Sequence, residues 1–523
     1  MNNRPVYWGK SELAWISCKL GYKQYICALS AIKFFMLFNS FEFLLFFPLV
    51  SIIIFLLPHK FRWFHLLVAS CIFYMYFIPN YILVLFLTII IVYIAGIAIE
   101  NASGIKRKWY LIMSIIANVG VLAIVKYYNF FAWNLDALFL HAHIGTKVPY
   151  LNIILPIGLS FHTFQAMSYT IEVYRGNRKA ERHMGIYALY VMFFPQLVAG
   201  PIQRLQNLLH QFYEKHKSEY DNVARGMRLM LWGMIKKVVI ADRLSKVVDP
   251  FFDHPAEYSG IALGIAALLF AFLIFCDFSA YTDIAIGAAR ILGFRLMTNF
   301  NMPYQSRNIS EFWKRWHISI STWFRECLYI SLGGNRVSVP RYYFNLFFVF
   351  LVSGFWHGTD WTFIIWGSIH GFYLIFAILT QKIRTKINGA TGINKIHWLN
   401  ISINIIITFL LVTFVWIFFR ANTIGDTCYI FKKIGTIPRE TYPVLHTWKI
   451  AFLNLAGILN VLLPSFVLIA LMELAHIIRS KYNLEKTFQK KPTVVRWTRY
   501  YSCLFLLIFF GIYEKHQFIY FQF

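Results

Sequence analysis

What most constrains this chain is a series of apolar runs, each long enough to cross about 30 Å of hydrocarbon. They cover residues 41–57, 63–79, 81–99, 109–126 and 151–173. Further candidates lie at 185–201, 227–241, 259–277, 343–357, 361–380, 400–419, 450–475 and 498–513, several of them short or broken by Pro or Gly. A mean hydropathy of +0.56, with only 14% charged residues, suits a lipid solvent and excludes an ordinary soluble domain. The expected fold is therefore all-α, a polytopic transmembrane helical bundle with short re-entrant and interfacial helices.

The few charges are unevenly signed. Fifty Lys and Arg oppose 23 Asp and Glu, for a net charge of +27. Because the basic residues sit in short loops between apolar runs, they fit cytoplasmic loops beside anionic membrane lipids, and no nucleic-acid partner is expected. Lys60 and Arg62 follow the first span, Lys106, Arg107 and Lys108 the third, and Arg175, Arg178, Lys179 and Arg182 the fifth, while the loop at Pro79 and Asn80 is uncharged. This alternation predicts that the chain enters its first span from outside. It also places 293–341 inside, since Arg295, Arg307, Lys314, Arg315, Arg325, Arg336 and Arg341 face only Glu311 and Glu326 there. With Lys382, Arg384 and Lys386 marking the return, the WHGTDW stretch becomes the tip of a hairpin, and His357 lies one short span from the cytoplasm.

Residues 1–35 read as an N-terminal interfacial extension, because Lys19, Lys23 and Lys33 interrupt any signal-like core. Met36 opens the first long run and is an alternative start. Without an internal repeat or a low-complexity linker, 36–523 is one transmembrane domain. The seven cysteines (Cys18, Cys27, Cys71, Cys276, Cys327, Cys428, Cys503) form no CxxC pair, so neither a disulfide framework nor a metal site is indicated. Phosphate-cradling GxxxxGK[ST] and GxGxxG signatures are absent, as are HExxH and GxSxG, which removes support for ATPase, dehydrogenase, zinc-protease and serine-hydrolase chemistry.

What remains is a small set of polar residues in apolar surroundings. In NISEFWKRWHISISTWFREC, Trp313, Trp316, His317, Ile320, Trp323 and Phe324 recur at helical spacing, predicting one helix with Asn308 or Ser310 as its cap and His317 turned into the bundle. His357 follows another apolar run. It reads either as a functional group or as a residue favoured by a helix C-terminus, with Gly358 as a left-handed cap. Ionisable groups at membrane depth are functional candidates by default, and imidazoles suit proton transfer near neutral pH.

LPIGLSFHTFQAMSYTIEVYRG (155–176), FFPQLVAGPIQR (193–204), FCDFSAYTD (275–283), FNMPYQSRNISEFWKRWHISISTWFRECLYISLGGNR (300–336) and SGFWHGTDWTFIIWGSIHG (353–371), together with the opening MLFNSFEFLLFFPLV and the ending HQFIYFQF, resemble the membrane-bound O-acyltransferase family, in particular its bacterial polysaccharide branch. That resemblance implies a helical bundle with a thin waist between a cytoplasmic and an outer cavity. It puts the family's catalytic WHG histidine on His357 and its second histidine on His317. Where relatives read RDYLYIPLGG, this chain reads Arg325, Glu326, Cys327, Leu328, Tyr329, Ile330 and Ser331, keeping an acid but losing the proline.

The implied activity is O-acetylation of a cell-envelope polysaccharide, peptidoglycan or an alginate-like exopolysaccharide, by an enzyme of the bacterial inner membrane. His357 would act as general base on an acceptor hydroxyl and return the proton to the leaving group. His317 would orient the acceptor or polarise the acyl carbonyl. Trp313, Trp316 and Trp356 would line the acyl path and exclude water. Asp360 would orient His357, or serve only as a solvated turn residue. No cofactor is expected to stay bound: acetyl-CoA or another activated acetyl carrier would be the donor, attracted by Arg307, Lys314, Arg315 and Arg325, although lipid contact explains the same charges. An extracytoplasmic O-acetyltransferase partner would receive the acyl group. The alternative is a transporter or flippase of a lipid-linked precursor, whose usual marks, paired repeats and intramembrane carboxylates, do not stand out.

Overall fold

The computed structural model describes residues 36–77, 79–153, 158–392, 395–437, 463–478, 492–513 and 518–519. The expected extension at 1–35 and the first half of the 450–475 run, 450–462, fall outside these residues. Among the described residues the fold is all-helical, and five helices are long and apolar enough to cross a membrane: Pro79–Asn101, Gly104–His141, Gly260–Ile291, Trp361–Leu379 and His397–Arg420. The chain is a multi-pass membrane protein.

The first helix, α1 (Phe41–Leu56), shows why these runs fold as they do. Ser40 caps it by accepting a hydrogen bond from Phe43 N at 3.2 Å. Its inner face carries Phe43, Phe47, Val50 and Ile54, whereas Leu45, Leu49 and Ile52 point outward and stay exposed. A helix apolar all round that is buried on one side only is a helix against lipid. The next are α2 (His59–Met75), α3 (Ile82–Asn101) and α4 (Gly104–Leu122). The run expected to end at 126 instead continues through a π-helical segment, Ala123–Tyr127, into α5 (Tyr128–His141).

The 151–173 run starts as a helix only at α6 (Leu159–Tyr174), behind Gly158 at φ 80°. A side chain there would be strained by that φ and would press its Cβ to 2.8 Å from Leu197 O. α7 (Met184–Met192) stops at Phe193, and the 185–201 run finishes as a four-residue turn, Phe194–Leu197. α8 (Tyr220–Met234) passes through a second π segment, Ile235–Ala241, into α9 (Asp242–Asp253). At the centre stands α10 (Gly260–Ile291), 32 residues long and buried along most of its length. α8 meets α10 backbone to backbone: a Cβ on Gly226 would lie 2.7 Å from Gly287 O, and one on Gly287 the same distance from Gly226 O.

After α10 the chain makes a re-entrant excursion. Gln211 holds its entry, with Arg295 N donating to Oε1 at 2.8 Å and Nε2 donating to Arg295 O at 3.0 Å. At its exit Arg204 pairs with Glu326 at 2.7 Å, and Arg175 donates to Glu326 O at 2.7 Å. Entry and exit are thus stitched to the same short stretch, 204–211. Within the excursion lie α11 (Ile309–Arg315) and α12 (Ile318–Trp323). There follow α13 (Val339–His357), α14 (Trp361–Leu379), α15 (Gln381–Ala390), α16 (His397–Arg420), α17 (Ile424–Ile434), α18 (Leu463–Ile478) and α19 (Thr493–Phe510). α13 and α14 form the expected hairpin, closed so tightly at Gly354 and Gly367 that a Cβ on either would collide with the other helix's backbone.

Intramembrane carboxylates, which do not stand out in the sequence, are present. Lys237, from the second π segment, lies 2.8 Å from Asp277 of α10 and 2.9 Å from Asp242 of α9, all three fully buried. Neighbouring Lys236 pairs with Asp283 at 2.8 Å.

Candidate active site

His317 sits where the expected single helix breaks. α11 is capped by Asn308, whose side chain accepts from Glu311 N at 2.9 Å, as anticipated, but it ends at Arg315. Trp316 is extended, and His317 takes φ 44°, ψ 55° before α12 begins. A left-handed residue with a side chain costs roughly 1–3 kcal/mol. Asn299 offsets that cost from 18 residues upstream. Its Oδ1 accepts from Ser319 N at 3.1 Å, Ser319 Oγ at 2.9 Å and His317 Nδ1 at 3.1 Å, and its backbone carbonyl accepts from Ile318 N at 2.9 Å. With Oδ1 as acceptor, Nδ1 carries the proton of the neutral ring, leaving Nε2 as its basic nitrogen.

The break redistributes the aromatic stripe. Trp313 and Trp316 pack into one half of the core with Trp366 and Trp416, while Ile320, Trp323 and Phe324 join the other half with Phe164 and Trp356. His317, 0% exposed, lies between them, its ring 4.7 Å from Phe278, 6.0 Å from Phe161 and 6.4 Å from Trp356. The five tryptophan and histidine positions given roles in the re-entrant and hairpin motifs, Trp313, Trp316, His317, Trp356 and His357, are all buried.

His357 is the last residue of α13. The final carbonyls of a helix need outside donors, and here the first π segment supplies them. Lys126 Nζ donates to Trp356 O at 2.8 Å and His357 O at 3.3 Å, and the Tyr127 hydroxyl donates to Phe355 O at 2.9 Å. The left-handed cap expected at Gly358 is therefore not used: Gly358 is extended, at φ −154°. It is glycine for another reason, since the Phe363 ring occupies the place of its Cβ. The His357 ring, 7% exposed, is walled by Trp356 at 4.7 Å, Trp366 at 4.8 Å and Phe419 at 5.7 Å. It faces both halves of the core.

Asp360 caps α14, accepting from Thr362 N at 3.4 Å. Of the four basic residues expected to meet the donor, Arg315 pairs with Glu311 at 2.6 Å and Arg325 with Glu326 at 3.3 Å, while Arg307 and Lys314 are exposed. At the altered loop, the Ser331 hydroxyl that replaces the proline donates to Cys327 O at 2.9 Å and accepts from Arg175, so the turn is tied down without a ring.

Four contributors escape the sequence reading. Asn299, Lys126 and Tyr127 position the two histidines. The fourth, His370, is 0% exposed on the face of α14 that also carries Trp366, with its Nδ1 accepting from Trp313 Nε1 at 3.3 Å. A lysine inside an apolar run was the available signal for Lys126, and the i, i+4 spacing of Trp366 and His370 the signal for His370. Among the described residues no three His, Cys, Asp or Glu are grouped to hold a metal ion. Two buried imidazoles walled by indoles can exchange a proton with a bound hydroxyl while keeping bulk water away.

Comparison with known proteins agrees with this chemistry. The model of the membrane-bound O-acyltransferase family matches residues 183–419, which contain His317, His357 and His370. A probable alginate O-acetylase of Pseudomonas aeruginosa is 36% identical over 455 residues, 86% of this chain and 82% of that protein. Another, from Pseudomonas putida, is 34% identical over 93% of this chain and all of its own length. A peptidoglycan O-acetyltransferase of Helicobacter pylori is 36% identical over 74% of this chain and 76% of its own. A chain that shares this much sequence with such enzymes, and that buries the two motif histidines at one seam, is an acyltransferase and belongs to the membrane-bound O-acyltransferase family.

Proposed function

We propose that this enzyme O-acetylates a cell-envelope polysaccharide from the bacterial cytoplasmic membrane. It takes the acetyl group from an activated cytoplasmic carrier, acetyl-CoA or an equivalent, and passes it outward through an extracytoplasmic acyltransferase partner. The observation that carries this reading is the position of His357, at the C-terminal end of α13 between the two halves of the core, with His317 delivered to the same seam by a segment that enters and leaves at one end of the bundle. A donor arriving from that end and an acceptor arriving from the other would meet at these rings. The relatives named for alginate and peptidoglycan O-acetylation favour acetyl as the acyl group and a polysaccharide as its destination.

In this mechanism the His357 imidazole takes the acceptor proton as the new C–O bond forms, then returns it to the departing thiolate. His317, with Nδ1–H tied to Asn299, presents a fixed tautomer that orients the acceptor. Trp356 and Trp366 exclude water that would hydrolyse the thioester. Arg307 and Lys314 remain available to the anionic donor, together with whatever part of Arg315 and Arg325 their carboxylate partners release.

The buried carboxylates favour a second reading, a transporter of a lipid-linked precursor. However, both Asp242 and Asp277 are paired with Lys237 within the protein, which suits a structural clasp better than a carrier site. Membrane vesicles of defined sidedness separate the two readings. Labelled acetyl-CoA should transfer label to an acceptor when presented to the cytoplasmic face of inverted vesicles and give none when presented to right-side-out vesicles. Label uptake from the outer face, or precursor translocation without acetyl transfer, would overturn the proposal.

A further inference from the structure

His370 has a feature that its packing does not explain. The ring is fully buried and lined by Phe312, Trp313, Phe350, Trp366 and Tyr373. Indole Nε1 is a donor only, so the 3.3 Å bond from Trp313 requires His370 Nδ1 to be unprotonated. The proton of the neutral ring is therefore on Nε2, on the side away from Trp313. That Nε2–H is buried and has no acceptor among the described residues. Buried donors are almost always satisfied, and an exception calls for an explanation, here sought in a partner that arrives during function.

The surroundings suggest what that partner is. Trp366 packs edge-on against both His370, at 5.1 Å, and His357, at 4.8 Å, so the two imidazoles share one indole wall. Trp356, Trp366 and Trp416 also keep buried Nε1–H groups without an acceptor among the described residues. The core beside His357 is thus rich in N–H donors, and the complementary ligand is an oxygen with lone pairs and no proton to give. A carbonyl is such an oxygen.

We infer that the Nε2–H of His370 is a hydrogen-bond donor to the carbonyl oxygen of the acyl group undergoing transfer, and that Trp313 acts as a positioning residue by fixing the tautomer. This rests on the acetyl-transfer reading above. As His357 takes the hydroxyl proton and the acceptor oxygen bonds to the carbonyl carbon, the carbonyl π pair moves onto its oxygen, where His370 holds it. When that pair returns, the C–S bond breaks and the proton held by His357 leaves with the thiolate. His370 itself neither gains nor loses a proton, consistent with both nitrogens being committed, one to Trp313 and one to the substrate.

The test compares His370→Phe, which keeps an aromatic ring without a donor, with His370→Gln, which keeps an N–H. Both are assayed in inverted vesicles with acetyl-CoA as donor. The Phe variant should lose about a hundredfold in kcat with little change in KM for acetyl-CoA, the size expected for one oxyanion donor. The Gln variant should recover at least about tenfold of that loss. A Phe variant as fast as wild type, or a Gln variant as slow as Phe with both folded, would overturn the inference. Nitrogen-15 NMR of histidine-labelled protein gives a readout independent of turnover: His370, assigned by its loss in His370→Gln, should be neutral with Nε2 protonated, and Trp313→Phe should convert it to a tautomer mixture. A resonance with Nδ1 protonated in the wild type would refute the assignment. Wild-type vesicles that transfer no acetyl at all would instead refute the proposed function, so the two failures are distinguishable.

Discussion

His357→Gln should reduce acetyl transfer by about a hundredfold or more, the loss typical of removing a general base, while the protein remains folded and in the membrane. Glutamine approximates the volume and hydrogen bonding of histidine but cannot accept and return a proton near neutral pH. It is a better probe than alanine because the ring, though flanked in sequence by Gly354 and Gly358, packs against Trp356, Trp366 and Phe419. Truncation there would open a cavity between three aromatic side chains and confuse lost chemistry with lost packing. The backbone carbonyls of Trp356 and His357 would keep their bonds to Lys126 in the Gln variant. A melting profile like that of wild type, together with a lost rate, assigns the deficit to the imidazole. Substantial retained activity would move the base to His317.

The second large effect concerns stability. Lys237→Met should destabilise the protein by about 3–5 kcal/mol, since removing one partner strands the others as uncompensated buried charges. Here two carboxylates, Asp242 and Asp277, would face each other without the ammonium that now lies within 2.9 Å of both. Asp277 also accepts from Ile519 N at 2.6 Å, so the lysine indirectly holds a piece of the C-terminal segment against α10. Thermal unfolding in detergent should show a clear drop in Tm, and adding Asp277→Asn to Lys237→Met should restore part of it by removing one of the stranded charges. If Lys237→Met melts like wild type, the cluster is not a structural clasp and the transporter reading gains ground.

Both effects follow from contacts of very different visibility in the sequence. The runs 81–99, 343–357, 361–380 and 400–419 became helices within a few residues of their expected ends, because an unbroken apolar stretch of that length has few other stable forms in a bilayer. The hairpin that presents His357 was legible for the same reason, with basic residues marking its open end. The break at His317 was not. Periodicity extends a helix through it, and only Asn299, distant in sequence, supplies the bonds that stabilise the left-handed turn. Lys126 looked like the edge of a span because a charge usually ends one. In fact the π segment continues the helix and turns the ammonium inward onto the end of α13. Asp277 was hidden by its apolar context, and the lysine that makes its burial tolerable lies 40 residues earlier.

The central claim, that this enzyme acetylates an envelope polysaccharide through His357, is tested most directly by the ester-linked acetate on purified peptidoglycan and exopolysaccharide. The comparison is between cells lacking the gene, cells carrying it, and cells carrying His357→Gln at equal membrane abundance. The account predicts that one polymer loses its ester-linked acetate on deletion, regains it with the wild-type gene and does not regain it with His357→Gln. Unchanged acetate on every polymer after deletion, or full restoration by the Gln variant, would contradict it.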